Sequence, residues 1–456
     1  MVSQKQLAIA KCIPIFFETY ADSEREQIVS MMLENLHRND KPSLALYSSM
    51  CLCELSRNSL LKSSRLNADI RESLLRVISG STDDSLKRTS ASALGVTVAK
   101  DPEGMRALFS IIAHQVENRY LHLCAVKEAI IATEGRSRLF DSEVLELLIS
   151  LNEAPLENRA SDTVEAAQKT SDSSSGEDSI RAVLADCTGR ICVMDPDLVF
   201  PYLDKALASP ASQLRAFAAA SLRCVAEISQ GDADNVDRFL QERMPSLLKL
   251  LSDSSINVLF SALICLNIYI RSKWYMLAEY RSSIFNALRD GVSVKQHLIR
   301  TVNLGPFKYT EDDGLPLRKT SFECLISLVK FRIVPATSED TVPIFKEGLR
   351  DHADVRTLAH LYLDSLIRKG YISLIVPCIS DIVEAFNERL NEKPKPNAVR
   401  QEEQQRTDAI RSIIRSSQLL NNVPEISLHP DFISYLQTML KNPEHSALYT
   451  AISSEN

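Results

Sequence analysis

The chain has 456 residues, which is room for two or three globular domains or for one long array. Lys and Arg number 52 against 59 Asp and Glu, and the resulting formal net charge of −7 argues against a general nucleic-acid grip. Glycine supplies only 12 residues, about 2.6% against a usual ~7%, so phosphate-cradling loops and turn-rich β architectures, which both need positive φ, are disfavoured.

Met1–Ala10 carries Ser3-Gln4-Lys5-Gln6 and lacks the apolar block of a signal peptide. No run of about 18 apolar residues follows anywhere, so no transmembrane helix and no membrane partner are expected. Apolar residues instead recur at i, i+3, i+4 and i+7, as in Val29-Met32-Leu33-Leu36 and Val144-Leu147-Leu148-Leu151, which is the period of amphipathic helices. Met1–Thr19 reads as the second helix of a repeat with no first helix over it, so Ile9, Ile13, Phe16 and Phe17 are expected to be partly uncovered.

One pattern repeats along the chain. A large apolar anchor is followed five residues later by a small residue: Leu7 and Cys12, Leu46 and Cys51, Leu86 and Ala91, Tyr120 and Ala125, Ile180 and Ala185, Leu214 and Ala219, Ile256 and Ser261. Looser copies begin at Leu317, Val355 and Ile410. Most steps are about 34–42 residues, one helix pair each, and the steps of about 55–61 leave room for a pair plus an insertion. The predicted fold is therefore all-α, a HEAT-repeat superhelical solenoid of the armadillo-like kind, with repeats over 1–154, 179–291 and 315–456. Aspartates recur just ahead of arginines, at Asp84 and Arg88, Asp178 and Arg181, Asp313 and Arg318, and Asp351 and Arg356. They read either as a ladder that satisfies turn amides and ties repeats together or as an arginine-lined binding face.

The two steps of about 60 hold different insertions. Pro155–Asp178 is polar and acidic and has too little apolar matter to offset its ordering entropy, so it reads as a flexible surface loop, with an acidic docking segment as the alternative. Val292–Gly314 is rich in β-branched and aromatic residues around Gly305-Pro306 and closes on Asp312-Asp313-Gly314. It reads as an inserted β-hairpin, the alternative being a helix extended to Leu304 and then a loop. A lone hairpin is marginal in water, so this one should lean on the solenoid or insert into a partner.

The ten cysteines sit mostly inside apolar helical patterns and read as reduced, packed thiols in a reducing compartment, and the expected location is the cytoplasm and nucleus. Cys51-Leu52-Cys53 is too tight for a zinc knuckle, and the eight histidines are scattered, His114 and His122 near Cys124 included. With no phosphate loop, nucleophile elbow or His-Glu-x-x-His, no enzyme activity, cofactor or metal is expected, and an interaction protein is the default.

Arg300–Leu325 contains Gly305-Pro306-Phe307-Lys308, then Asp312-Asp313-Gly314, then Arg318-Lys319 and Phe322-Glu323-Cys324. This ungapped combination resembles the C-terminal region of the cullin-associated and neddylation-dissociated protein family. Supporting likeness lies in Ala185-Asp186-Cys187-Thr188-Gly189 with Asp195-Pro196, in Gly348-Leu349-Arg350-Asp351-His352, in Asn397-Ala398-Val399-Arg400-Gln401 and from Asn442-Pro443-Glu444 to Asn456. It is strong after about residue 180 and looser before. The resemblance implies a non-enzymatic factor that wraps a cullin with its RING subunit, prefers the cullin lacking its ubiquitin-like modifier, and promotes exchange of substrate receptors. It further implies that the hairpin occupies the surface of the receptor adaptor. On that reading the contact residues are Leu298, Arg300, Val302, Leu304, Gly305, Pro306, Phe307, Lys308, Tyr309, Asp312 and Asp313, with Lys308 and Arg300 as the charge contacts. Family members are commonly more than twice as long, and the opening of this chain favours truncation or a complementary N-terminal solenoid polypeptide. The competing readings are a HEAT-type nuclear transport receptor and a phosphatase-type scaffold, neither of which carries the Gly-Pro-Phe-Lys to Asp-Asp-Gly insertion.

Overall fold

The computed structural model describes residues 4–38, 40–58, 60–61, 63–133, 140–153, 170–229, 234–304, 307–335, 337–392 and 400–455. Among these residues the chain forms 22 α-helices and one two-stranded antiparallel sheet. It divides into two compact units, Met1–Phe239 and Leu240–Asn456.

The first unit contains α1 (Gln4–Phe17), α2 (Asp22–Leu36), α3 (Pro42–Arg57), α4 (Ser64–Gly80), α5 (Asp84–Val98), α6 (Pro102–His114), α7 (Arg119–Ala132), α8 (Ser142–Glu153), α9 (Thr170–Met194), α10 (Pro196–Leu207) and α11 (Ser212–Ile228). Helices α1, α3, α5, α7, α9 and α11 form one row, each against the next, and α2, α4, α6, α8 and α10 pair with members of that row. This is the helix-pair stack of a HEAT-type solenoid. The anchor-plus-small pattern falls on the row helices. Its small residues Cys51, Ala91, Ala125, Ala185 and Ala219 are fully buried, because a larger side chain there would hold neighbouring row helices apart. Between α5 and α7 even a methyl is too much: a Cβ on Gly95 would lie 2.1 Å from the carbonyl oxygen of Ala125. Buried hydroxyl pairs join α3 to α5, Ser49 to Ser90 at 3.3 Å and Ser56 to Thr97 at 3.0 Å.

Three expectations are corrected in this unit. Phe17 is buried, whereas Ile9 and Phe16 are exposed and Ile13 is half-covered. The reason is helical spacing: Ala10, Pro14 and Phe17 share the buried face of α1, which packs with α3, and Arg25 of α2 lies over the Phe17 ring and donates to the carbonyls of Phe17 at 3.0 Å and Glu18 at 2.7 Å. The turn carboxylate before α5 is Asp83, not Asp84: its Oδ1 accepts from the amides of Ser85 and Leu86. In the acidic insertion, residues 154–169 lie outside the described residues, and α9 is already helical from Thr170, inside the stretch read as loop. Once the apolar part of α9 is packed on α7 and α11, extending it toward its N-terminus needs no new nucleus.

α12 (Asp234–Lys249) crosses the boundary between the units, and the second unit continues with α13 (Ile256–Ser272), α14 (Arg281–Val292), α15 (Leu315–Lys330), α16 (Thr341–Gly348), α17 (Ala353–Arg368), α18 (Ile379–Leu390), α19 (Arg400–Asn421), α20 (Pro424–Ser427), α21 (Pro430–Leu440) and α22 (Pro443–Glu455). Here α13, α15, α17, α19 and α22 form the row, and α14, α16, α18 and α21 the layer beside it. Gly348 at the end of α16 is another close approach, since a Cβ there would meet Phe322 Cζ at 2.3 Å. His360 is a core histidine of α17: its Nδ1 lies 3.1 Å from Ser416 Oγ, its ring stacks on Phe386, and Ser416 donates to Asp364 at 3.1 Å. Burial, helped by the nearby Arg356, pushes its pKa down to about 4. No described helix is long and apolar enough to cross a membrane.

Candidate functional site: the hairpin between α14 and α15

The sheet is the expected hairpin: β1 (Ile299–Leu304) and β2 (Phe307–Asp312) pair antiparallel from Ile299 opposite Asp312 to Leu304 opposite Phe307. The extension of α14 to Leu304 does not occur, because α14 ends at Val292 and a 3-10 turn over Gln296–Leu298 leads into β1. Gly305 and Pro306 lie outside the described residues. The register sets Arg300 opposite Glu311, Val302 opposite Tyr309 and Leu304 opposite Phe307.

The hairpin is tied at its base. The amide of Asp313 donates to the carbonyl of Leu298 at 3.1 Å, and the Leu298 side chain is buried next to Gly314. Leu298 therefore staples the hairpin to its own repeat and offers no free apolar surface, and it lies before β1, not on it. Arg300 is exposed and paired within the base, 3.1 Å from Glu311 and 3.3 Å from Asp313.

Beneath the base lies a buried ionic clamp. Arg318, in the first turns of α15, has a side chain only 3% exposed. It donates to Asp312 at 2.7 and 3.3 Å and to Asp351 at 2.5 and 3.0 Å, and Asp351 is itself 5% exposed. Each carboxylate also closes a turn: Asp312 accepts from the amide of Gly314 at 3.0 Å and Asp351 from that of His352 at 2.5 Å. Burial opposes the charge on Arg318, but the hydrogen bonds to Asp312 and Asp351 outweigh it and hold its pKa above the usual range. The same hydrogen bonds hold the Asp312 carboxyl below its ordinary value despite partial burial. Fork-to-carboxylate geometry of this kind is a task for arginine and not for lysine.

The clamp corrects two of the aspartate–arginine pairings. Arg318 meets Asp312 and Asp351, not Asp313, and Arg356 donates to the backbone carbonyl of Asp351 at 2.7 Å, its carboxylate being taken by Arg318. The pair Asp178 and Arg181 does form, at 3.5 Å. The ladder is thus real at the hairpin and runs between repeats, from α15 to the turn before α17, with Lys319 to Asp354 at 2.9 Å beside it. A partner 33 residues away leaves no mark on local spacing, so sequence reasoning missed Asp351 as the partner of Arg318. Among the described residues no group of three His, Cys, Asp or Glu is placed to hold a metal ion.

A family model described as TIP120, TATA-binding protein interacting (TIP20), matches residues 276–440, a range that includes the hairpin, Arg318 and Asp351. Cullin-associated NEDD8-dissociated protein 1 of Arabidopsis thaliana is 26% identical over 442 residues, 96% of this chain and 34% of that protein. The chain resembles the C-terminal portion of the cullin-associated NEDD8-dissociated family. Cullin-associated NEDD8-dissociated protein 2 of Rattus norvegicus is 25% identical over 82% of this chain and 28% of its own length. A protein of Emericella nidulans named as the C-terminal part of cullin-associated NEDD8-dissociated protein 1 is 28% identical over 58% of this chain. The chain spans about a third of the length of the first of these relatives. Among solved structures, importin beta in an ammonium sulfate condition superposes with a TM-score of 0.55 at 14% identity, over 98% of this chain and 55% of that one, a likeness of fold alone.

Proposed function

We propose that the chain is a cullin-binding factor of the cullin-RING ligase system, in which the second unit holds a cullin lacking its ubiquitin-like modifier and the hairpin reaches the surface used by a receptor adaptor. The observation that carries this reading is a hairpin clamped at its base by a buried arginine within the range that resembles the family. A clamped ribbon is presented in one orientation, which lowers the ordering cost of binding. On this reading Val302, Leu304, Gly305, Pro306, Phe307 and Tyr309 supply the contacts and Lys308 a charge contact. Leu298, Asp312, Asp313 and Arg300 hold the base. A cullin bound by the solenoid and an adaptor opposed by the hairpin form a transient ternary complex in which each ligand weakens the other by the same factor. The exposed Leu7, Ile9, Ile15 and Phe16 of α1 suit a complementary N-terminal solenoid polypeptide, testable by calorimetry with such a fragment supplied in trans.

Replacing residues 299–311 by a Gly/Ser linker keeps Leu298 and the Asp312–Arg318–Asp351 clamp and removes the ribbon. The variant should still bind a cullin with its RING subunit, but saturating adaptor should no longer speed its dissociation. If adaptor accelerates wild type and variant equally, the hairpin plays no part in exchange.

A further inference from the structure

The chain has one tryptophan, and it lies on the surface. Trp274 opens the 3-10 turn that follows α13 and is 47% exposed, with Tyr275 beside it 51% exposed. Its indole stacks on Phe331 at the end of α15, centroids 6.2 Å apart and planes within 16°, while Tyr275 meets it edge-on. Phe331 in turn forms the wall of a cleft of about 600 Å³ between the ends of α13, α15 and α17. The charged residues lining that cleft are Arg271, Lys330, Arg368 and Lys369, with no carboxylate among the lining residues. None of the four makes an ion pair among the described residues, whereas other surface cations of this acidic chain, such as Arg76 and Arg350, are matched by glutamates.

Helix dipoles account for part of this arrangement. Arg271, Lys330 and Arg368 each lie in the last turn of their helix, where a cation is favoured. That explains one cation per helix. Lys369, the C-cap of α17, is favoured in the same way, but helix dipoles explain neither the absence of carboxylates nor the two large aromatic side chains exposed next to the charge. The chain also leaves α15 through Arg332 in the left-handed region, φ 61, which a non-glycine residue seldom adopts and which here lets the amide of Ile333 return to the carbonyl of Leu328 at 3.0 Å. The end of α15 that carries Phe331 is thereby fixed.

We infer that this cleft and aromatic shelf are a docking site for an acidic peptide segment of a partner protein. Its carboxylates would sit on Arg271, Lys330, Arg368 and Lys369, and an apolar side chain would lie on Trp274. Arginine and tryptophan are the residue types that dominate binding energy at interfaces, and a carboxylate-free cationic cleft selects for an acidic ligand. A single-stranded nucleic acid also stacks on aromatic groups, but it is gripped by an extended basic groove, and here the cations are confined to one cleft of a chain with net charge −7. The site involves different residues from the hairpin and does not rest on the cullin reading.

Because Trp274 is the only tryptophan, its emission reports on this site alone. The probe is a short amidated peptide of alternating Glu and Leu. It should shift and saturate the Trp274 emission with an affinity that falls as salt rises. Reversing two exposed cations, Lys330→Glu with Arg368→Glu, should weaken binding by about tenfold or more while leaving the melting curve unchanged. If the double reversal does unfold the chain, Arg271→Gln with Lys369→Gln should weaken binding by a smaller factor. The inference is overturned by the absence of a saturable shift, by an equal response to a Lys/Leu peptide, by unchanged affinity in the variants, or by tighter binding of oligothymidylate than of the acidic peptide.

Discussion

Replacing Arg318 with alanine removes the centre of the clamp. The side chain is 3% exposed and serves two carboxylates, one of them 5% and the other 24% exposed. Its loss leaves Asp351 charged and buried without its counter-ion, a class of change that costs about 3–5 kcal/mol. At roughly 2–4 °C per kcal/mol for a folding unit of this size, the second unit should melt on the order of 10 °C lower. Arg318→Lys should recover only part of that, because an ammonium cannot face both carboxylates with a fork. Amide hydrogen exchange localises the effect: Arg300 and Glu311, the hydrogen-bonded pair next to the base of the ribbon, should lose protection more than the α17 helix does. A variant with all three members replaced by apolar residues of similar volume should be nearer wild type than Arg318→Ala, since no unpaired charge remains. A loss below about 1 kcal/mol with unchanged exchange at Arg300 and Glu311 would refute the clamp.

Gly348→Ala should destabilise by about 1–3 kcal/mol in thermal melts, because the new methyl meets the Phe322 ring inside the core. His360 has a folded-state pKa of about 4, below its unfolded value of about 6.5, so the unfolded chain takes up the proton first. The stability that this contributes is complete above about pH 6.5 and falls as pH drops toward 4, by up to about 3 kcal/mol; denaturant titrations should show that slope, and His360→Gln should flatten it. Cys12 is the one exposed cysteine, while burial raises the Cys51 thiol to about 11 and pushes those of Cys187 and Cys324 higher still. A thiol reagent on the native protein should therefore show one fast equivalent, lost in Cys12→Ser.

Much of the architecture was legible from residues alone. The spacing of anchors and small residues marked the row helices, because close packing of neighbouring helices requires a small side chain at the same place in each repeat. Composition around Gly305-Pro306 marked the hairpin, because β-branched and aromatic residues flanking a turn suit a ribbon and not a helix. Pairing choices were not legible. Asp312, Asp313 and Asp351 are chemically alike, and only the fold brings Asp351 from 33 residues away to Arg318 while turning Asp313 toward Arg300. Phe16 and Phe17 are adjacent and identical in type, yet one is 62% exposed and the other 2%, because only Phe17 shares with Ala10 and Pro14 the buried face of α1, which packs with α3, and Arg25 of the following helix lies over its ring. The cleft beside Trp274 belongs to the same class: its four cations come from three helices far apart in the chain, and no local period joins them. Local pattern determines which segments fold and which face each buries, since those depend on neighbours three or four residues away. Which carboxylate meets which arginine depends on contacts across tens of residues, and that only tertiary packing decides.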